Sequence, residues 1–243
     1  MATVVTIMDR SGFDQRTDNI VIADPRHRRL LWVPRDVWCP EVGDRINTAY
    51  RSGGHDGLLR GLRSLGFRVD HSVCIPRAAT ERFLGTVTVD VPIERPLRFW
   101  YPLSPQSRIE DGRREVDFDP PGEILSGERI HQWIGARTSR DAGERGSDLD
   151  RIQRQQVLVR ALLRQGSELS AVVGGPELPS WSDETAARRD LRHVRWWWAM
   201  RGADQVRDRL IDGRQVLELL SPEPTPPRWQ RALHRVVRHR PGP

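Results

Sequence analysis

The sequence predicts an α/β fold in which helices cover the faces of a β-sheet. Three short apolar runs rich in β-branched residues follow one another near the N-terminus, at residues 3–7, 19–23 and 30–33. Downstream, segments with apolar residues at helical spacing alternate with further strand-like runs, which is typical of helices packed on a sheet. A chain of 243 residues is long enough to bury one sizeable core.

The middle of the chain shows this alternation most clearly. A helix is predicted for residues 55–66, where four leucines recur at helical spacing and Gly66 provides the stop. A strand is predicted to follow at residues 67–75. A short helix at residues 77–84 and another strand at residues 87–91 complete this part of the sheet.

Residues 92–122 lack periodicity and are rich in proline and arginine, so we predict a long loop or lid there. Phe99, Trp100 and Tyr101 would give this loop its apolar content. Loops of this length are usually functional or disordered. A helix is predicted to follow over residues 125–137.

Two further helices are predicted in the C-terminal half, at residues 151–165 and 184–200. Ser182 or Asp183 would cap the second of them. This helix ends in three consecutive tryptophans, residues 196–198, which point in different directions on a helix. We interpret them as packing against the sheet, with the lining of a cavity as the alternative.

The C-terminal end divides into a domain and a tail. A final strand is predicted at residues 214–220, so that residues 1–220 form one domain and residues 221–243 a proline-rich linker with a basic tail. The tail has the spacing of a short basic amphipathic helix, which would contact an anionic membrane peripherally. The alternative is a solvated, frayed tail.

The charge of the chain favours an anionic ligand. It contains no lysine, so its 39 basic residues are all arginine, and its formal net charge is +6. High-GC codon usage is the simplest explanation of the missing lysine, and phosphate binding is the functional one. A basic surface attracts nucleic acid, anionic lipid or phosphorylated substrates. The sequence has no zinc-finger, basic-zipper or RNP motif, so nucleic acid is not the expected partner. It also lacks the G-x-S-x-G, P-loop and H-E-x-x-H motifs of other enzyme classes.

The two cysteines, Cys39 and Cys74, form no C-x-x-C pattern, which excludes the usual metal-thiolate spacing. We expect them to be free buried thiols, with a disulfide as the alternative. No apolar run approaches the roughly 20 residues of a membrane span.

Charged side chains stand at the ends of the first three predicted strands. Asp9 and Arg10 follow the first strand, Asp18 precedes the second, and Arg35 follows the third. Strand ends can present polar groups without burying them unpaired. Carboxylates bind Mg²⁺ through oxygen, and the guanidinium fork matches phosphate oxygens in pairs. This pattern predicts a hard cation together with a phosphate-rich ligand.

Five motifs carry a resemblance to a known family. They are IMDR at 7–10, RTDN at 16–19, WVPRD at 32–36, RINTAYRSGG at 45–54 and SDLDRIQRQQ at 147–156. In this order they resemble the LytR-CpsA-Psr (LCP) family of cell-envelope phosphotransferases. That family has a G-x-D-x-R-like turn, then R-[ST]-D-T, S-I-P-R-D, K-I-N-x-A-Y-x-x-G-G and D-x-x-R-x-x-R-Q-Q.

The resemblance implies an α-β-α sandwich with a central mixed sheet and an apolar cavity that binds a prenyl chain. It implies a Mg²⁺-dependent enzyme that binds a prenyl or polyprenyl diphosphate and acts at the diphosphate. Family members transfer a lipid-linked glycopolymer to a cell-wall acceptor.

The resemblance also implies the site residues. Asp9 and Asp18 would be the Mg²⁺ ligands, and Asp9 is also a candidate to accept the proton of the acceptor hydroxyl. Arg35 would be the central catalytic phosphate clamp. The local alternatives are that the aspartates pair only with nearby arginines, and that Arg35 pairs with Asp36 or another acid. The remaining diphosphate ligands would be Arg10, Arg137, Arg151 and Gln155.

Two departures from the family pattern motivate alternative functions. Gly135 stands where the family has the first of two paired arginines, and Arg140 is a candidate replacement. Typical members carry an N-terminal transmembrane anchor, whereas here the first strand begins next to Met1. The chain is expected to be cytoplasmic if complete, or at the extracellular face of the membrane if an anchor has been removed.

A cytoplasmic member would suit a different task. One alternative is an LCP-like enzyme that processes a shorter prenyl diphosphate in specialised metabolism, by hydrolysis, transfer or cyclisation. The other is a non-catalytic protein that binds lipid phosphates, because a family resemblance does not guarantee activity.

Overall fold

The computed structural model describes residues 1–8, 16–103, 107, 109–140, 148–166, 179–195, 197–202, 206–211 and 214–219. The strands are β1 Thr3–Met8, β2 Thr17–Asp24, β3 Arg29–Val33, β4 Trp38–Cys39, β5 Asp44–Arg45, β6 His71–Ile75, β7 Thr88–Pro92, β8 Leu97–Pro102, β9 Arg113–Phe118, β10 Gly122–Ser126, β11 Thr138–Ser139, β12 Ser180–Trp181, β13 Ala199–Gly202, β14 Val206–Ile211 and β15 Arg214–Leu219. The α-helices are α1 Ala49–Ser64, α2 Arg77–Thr86, α3 Glu128–Gly135, α4 Asp148–Arg164 and α5 Glu184–Arg192. Short 3₁₀ turns lie at Ile46–Thr48 and Ile109–Asp111.

A six-stranded mixed sheet forms the centre of the molecule, in the order β12-β6-β1-β2-β3-β13. The three predicted N-terminal strands pair antiparallel as neighbours, β1 with β2 and β2 with β3. The pairs β1–β6 and β3–β13 are parallel. The predicted α/β class with a central mixed sheet is therefore confirmed.

Helices cover both faces of this sheet because its strands are apolar on both sides. On one face, Val4, Ile22 and Val33 are buried in a core with Leu58 and Leu62 of α1. The predicted helix at residues 55–66 is the second part of α1, which kinks at the preceding glycine pair. Gly54 at this kink has φ 56° and ψ −144°, a conformation open essentially to glycine alone.

The opposite face of the sheet packs against other helices. Leu30, Trp32 and Ile75 are buried together with Ile152 of α4 and Leu191 of α5. Because neighbouring residues of a strand point to opposite faces, Trp32 and Val33 belong to different cores. These two layers of helices complete the α-β-α sandwich.

The predicted loop or lid at residues 92–122 is wrong. Most of this segment is a β-hairpin of β8 and β9, followed by β10 paired with β7. Phe99, Tyr101, Val116 and Phe118 alternate along the hairpin and bury one face in a third core. The outer face of β8 carries Trp100, which hid the period-two pattern in the sequence.

Two predicted helices have different limits. Residues 122–126 form β10, so the helix predicted from residue 125 begins only at Glu128. Helix α5 begins after its predicted cap, Asp183, whose side chain accepts a hydrogen bond of 2.9 Å from the amide of Ala186. It ends at Arg192, eight residues before the predicted end, because the chain then turns into β13.

The tryptophan segment is therefore not helical in its described part. Trp198 is buried, with 3% of its surface exposed, whereas Trp197 is 50% exposed. Trp196 lies outside the described residues, as does the predicted linker and tail at 221–243.

Several smaller predictions can be compared directly. The predicted final strand is β15, and its partner β14 was not predicted. Cys39 and Cys74 are buried free thiols, as expected. Within the described ranges, no helix combines the length and the apolar character needed to cross a membrane.

Candidate functional site

A pocket of about 350 Å³ opens at the end of the central sheet where β1, β2 and the segment after β3 meet. Helices α2, α3 and α4 and strand β8 complete its walls. It is lined by five of the seven residues predicted from the sequence: Asp18, Arg35, Arg137, Arg151 and Gln155. The other two, Asp9 and Arg10, lie outside the described residues, so their assignments stay predictions.

Asp18 is the meeting point of three of these arginines. Its Oδ1 accepts hydrogen bonds from Nη1 of Arg35 at 2.5 Å, Nη1 of Arg151 at 2.9 Å and Nη2 of Arg137 at 3.0 Å. The backbone oxygen of Asp18 accepts a further bond from Nη2 of Arg151 at 3.4 Å. We call these four side chains the arginine cluster.

The fold brings the cluster together from four places in the sequence. Asp18 is at the start of β2 and Arg35 follows the end of β3, so the β2–β3 pairing brings their ends to the same edge of the sheet. Arg137 follows α3, and Arg151 lies in the first turn of α4. Only the tertiary packing of α3 and α4 against the sheet can bring the last two to Asp18.

Burial makes the electrostatics of the arginine cluster strong. Arg151 is only 2% exposed, and Arg35 and Asp18 are largely buried at 16% and 20%, whereas Arg137 is 40% exposed. Burial alone would raise the pKa of Asp18, but the guanidinium groups of Arg151, Arg137 and Arg35 together lower it well below its usual range. Asp18 is therefore an ionised carboxylate at neutral pH. The cluster holds three positive charges around one negative charge and is suited to bind a further anion.

Gln155 lies one turn after Arg151 on α4 and lines the same pocket. Its Nε2 donates a bond of 3.4 Å to the backbone oxygen of Ile134. Its Oε1 is buried and has no hydrogen-bond partner among the described residues. An unpaired buried polar atom at a pocket wall is expected where a ligand or water completes the bonding.

Sequence reasoning missed a second buried arginine on α4. Arg154 donates to the backbone oxygen of Trp133 at 2.8 Å and also to that of Ala136. Its guanidinium lies 4.5 Å from the centroid of the Phe99 ring. Burial lowers the pKa of Arg154 to about 10. Because Ala136 immediately precedes Arg137, Arg154 is a positioning residue for the arginine cluster.

Sequence reasoning also missed a second polar wall of the pocket. Arg77 and Glu81 form an ion pair of 2.6 Å along α2, at the spacing of one helical turn. His131 of α3 lies on the same wall. Burial lowers the pKa of His131, Arg77 lowers it further, and Glu81 and Glu128 only partly oppose this, so the ring is neutral at neutral pH.

An apolar cavity of about 150 Å³ adjoins the pocket. Most of its wall comes from apolar residues of β1, β2, β3 and α4. Six residues line both spaces: Ile7, Asn19, Thr80, Leu84, Ile134 and Gln155. The site therefore combines a charged compartment with an apolar one beneath it, which suits a ligand with an anionic head and a hydrocarbon tail.

Residues 8–188 match the sequence model of the LytR_cpsA_psr family. The chain belongs to this LCP family. No curated protein matches the chain.

Solved structures of LCP proteins share the fold. TagT of Bacillus subtilis in a complex with LI-WTA has a TM-score of 0.62 at 18% identity, over 98% of this chain and 88% of TagT. TagT with bound octaprenyl pyrophosphate lipid has a TM-score of 0.56 at 17% identity, over 98% and 87%. TagV of B. subtilis has a TM-score of 0.61 at 17% identity, over 91% of each chain.

This LCP chain differs from the family pattern at Gly135, and the structure shows what surrounds it. A Cβ atom at Gly135 would lie 3.4 Å from the hydroxyl of Tyr101. Arg140 does not line the pocket. It pairs with Glu115 at 2.7 Å and Asp117 at 2.6 Å, on the β8–β9 hairpin. Arg140 therefore does not replace the missing arginine.

The described residues fit Mg²⁺ in a binding mode that it shares with substrate. Among the described residues, no group of three or more His, Cys, Asp or Glu side chains could hold a metal ion. Mg²⁺, however, is usually bound through one or two carboxylates together with substrate phosphates and water. Asp18 is ionised, and the hydrogen bonds described for its side chain all end on Oδ1. A single carboxylate beside an anion-binding cluster matches that shared mode.

Proposed function

We propose that this LCP chain is an enzyme that binds a prenyl or polyprenyl diphosphate and acts at its diphosphate. The observation that carries the proposal is the arginine cluster in a pocket that adjoins an apolar cavity. The diphosphate would lie against the arginines, and the first part of the hydrocarbon chain would enter the cavity. The octaprenyl pyrophosphate bound to TagT supports this class of ligand.

The proposed chemistry is a displacement at phosphorus. Arg35, Arg137 and Arg151 would neutralise the non-bridging oxygens as charge develops, and Gln155 would contact the same head group. Because the guanidinium groups are already held by Asp18, little reorganisation is needed when substrate binds. Asp9 stays the candidate base for the acceptor hydroxyl.

Asp18 would hold Mg²⁺ together with Asp9 and the substrate phosphates. When bound, the ion supplies positive charge that stabilises the diphosphate oxygens. Asp18 would then serve two purposes, since the same carboxylate aligns the three arginines.

We further propose that the reaction moves a lipid-linked glycopolymer to a cell-wall acceptor. Family membership supports this, as does the complex of TagT with LI-WTA. The acceptor is extracellular, so this proposal requires the chain to act outside the cell.

Gly135 favours a second candidate function. Without the first of the paired arginines, one contact to the diphosphate is lost, and Arg140 is committed elsewhere. An enzyme that processes a shorter prenyl diphosphate, by hydrolysis, transfer or cyclisation, is the function that fits this change. A protein that binds lipid phosphates without turnover is the third candidate.

The experiment that tests the main proposal follows the consumption of prenyl diphosphates with and without Mg²⁺. Arg35→Ala should lower the rate by about 10²–10³-fold, as removal of one preorganised donor usually does. The matched control is Arg188→Ala, because Arg188 pairs with Glu184 on the solvent side of α5 and lines neither the pocket nor the cavity. Binding without turnover would support the third candidate. Unchanged turnover in Arg35→Ala would show that the reaction occurs elsewhere.

A further inference from the structure

The apolar cavity beneath the arginine cluster is small for the ligands proposed. Its volume is about 150 Å³. An apolar protein cavity of about this volume accommodates one benzene molecule. An isoprene unit is of similar size, so the cavity encloses little more than the first unit of a prenyl chain.

The register of the central sheet shows where Trp32 lies along the cavity. At the pocket end, Ile7 of β1 pairs with Asn19 of β2, and both residues line both spaces. Two residues farther along, Val5, Val21 and Trp32 lie side by side across the three strands. A step of two residues along a strand is roughly 7 Å. Trp32 therefore stands one such step behind the pocket.

Trp32 is the bulkiest side chain on this wall. It is 3% exposed, lines the cavity and packs in the same core as Leu191 of α5. Its neighbour Val33 points into the core on the other face of the sheet. Position 32 thus controls cavity volume directly, because β3 is held in register on both sides by β2 and β13.

The motif around position 32 indicates that the reduced cavity volume is a feature of this chain. The LCP pattern S-I-P-R-D corresponds to WVPRD at residues 32–36, so tryptophan occupies the position of a serine. A serine on the same strand would leave most of the volume of the indole ring open. Beyond Trp32, Ala23 pairs with Leu30 and continues the cavity wall. The indole ring of Trp32 therefore narrows the middle of this cavity and takes up volume that a longer prenyl chain would use.

We propose that Trp32 limits the length of prenyl chain that this site encloses, so that its ligands are short prenyl diphosphates of the geranyl and farnesyl class. The inference rests on the proposed function, since it assumes that a prenyl diphosphate binds at the arginine cluster. It deepens that function by naming a residue that sets specificity for the hydrocarbon chain, and it favours the second candidate, the enzyme that processes a shorter prenyl diphosphate.

The test is calorimetric titration of the full chain with Mg²⁺ and one fixed detergent concentration. The ligands are pyrophosphate and the geranyl, farnesyl, geranylgeranyl and octaprenyl diphosphates. In the wild type, we expect most of the gain in affinity to come between pyrophosphate and geranyl diphosphate, with no further gain beyond farnesyl diphosphate. An affinity that increases steadily up to the octaprenyl ligand would overturn the proposal.

Two variants sharpen the test. Trp32→Ser should raise the affinity for octaprenyl relative to farnesyl diphosphate by about tenfold, the gain from enclosing roughly two more methylene-sized groups. Trp32→Leu opens less space and should destabilise the fold less than Trp32→Ser. It should give a smaller change in the affinity ratio, in the same direction. The matched control is Trp198→Leu, because Trp198 is buried in the same core without lining the cavity. The control should leave the ratio unchanged.

The outcomes separate this inference from the proposed function. If neither pyrophosphate nor any prenyl diphosphate binds, the proposed function fails. If all of them bind and the ratio is the same in wild type, Trp32→Ser and Trp32→Leu, the proposed function stands and the role of Trp32 is refuted.

Discussion

Two arginines of α4, three residues apart, are both almost completely buried, yet their surroundings differ. Arg151 points to the ionised carboxylate of Asp18 in the pocket. Arg154 points to the backbone oxygens of Trp133 and Ala136, at the junction of α3 and α4. Their exposed fractions are 2% and 6%. Similar burial therefore serves two different purposes on one helix.

The two guanidinium groups also differ in what balances their positive charge. Arg154 donates to neutral carbonyls and lies over an aromatic ring. Burial lowers its pKa to about 10, and the nearby charges of Asp150 and Arg151 act in opposite directions. Arg151 instead shares a carboxylate with two other guanidinium groups, so its charge is balanced by an ion. Neutral carbonyls hold Arg154 in one structural role. The shared carboxylate leaves the region around Arg151 able to attract a further anion.

The largest effect is expected from replacing Asp18, the carboxylate that Arg151 binds. Asp18→Asn leaves three guanidinium groups without their common counter-charge. Removing one partner of a buried ion pair destabilises a protein by about 3–5 kcal/mol, and the 20% exposure of Asp18 places the expected loss at the lower end of that range. The free energy of unfolding from urea denaturation measures this. Added pyrophosphate should stabilise the variant, because it supplies the missing negative charge.

Asp117→Asn is the matched control for this prediction. Asp117 also accepts from an arginine, Arg140, but is 41% exposed, so its loss should destabilise by less than about 1 kcal/mol. Equal stability of Asp18→Asn and the wild type would mean that the arginine cluster does not depend on Asp18.

The next prediction compares the loss of Arg151 with the loss of Arg154. Arg154→Met keeps apolar contact with Phe99 but leaves two backbone oxygens unpaired, which should destabilise by about 2–4 kcal/mol. Arg151→Met should destabilise by only about 1–2 kcal/mol, because Asp18 keeps Arg35 and Arg137. Binding should follow the opposite order, with pyrophosphate affinity lost more in Arg151→Met. Urea denaturation measures the loss of stability in each variant, and titration calorimetry on the same samples measures the loss of pyrophosphate affinity. If one variant shows the larger loss in both measurements, the proposed difference in role between Arg151 and Arg154 is refuted.

Much of the fold and part of the site follow from the sequence. The first three strands are apolar runs bounded by charged loops, and the structure has them within one or two residues. The residues around them predicted a cation and a phosphate-rich ligand at strand ends. Only the order of family motifs connected Asp18 with Arg137 and Arg151, which are more than a hundred residues away.

The failures have physical causes that a sequence pattern does not contain. The β8–β9 hairpin was missed because its outer face carries Trp100, held between Arg113 and Arg140 at 4.2 Å and 5.4 Å from the ring centroid. An aromatic residue on each face hides the alternation of a strand. Arg154 was missed because a charged residue on a helix is normally solvated, and its partners lie 18 and 21 residues earlier in the chain.

The smallest expected effect is a dependence on pH. The folded pKa of Asp18 lies below its ordinary value of 3.8, so its carboxylate stabilises the fold fully above that pH and loses this contribution as pH falls further. The stability difference between the wild type and Asp18→Asn should be constant from about pH 8 to pH 5. By about pH 3 it should shrink by about 1 kcal/mol.

Taking the difference between the two proteins removes the contribution of the histidines. Burial lowers the pKa of His131, so the neutral ring stabilises the fold at neutral pH and this contribution falls as the solution becomes acidic. That change occurs in both proteins and cancels. Urea denaturation at each pH gives the difference. If it already shrinks between pH 7 and pH 5, the three arginines do not hold the pKa of Asp18 below its ordinary value, and the electrostatic account of the arginine cluster is wrong.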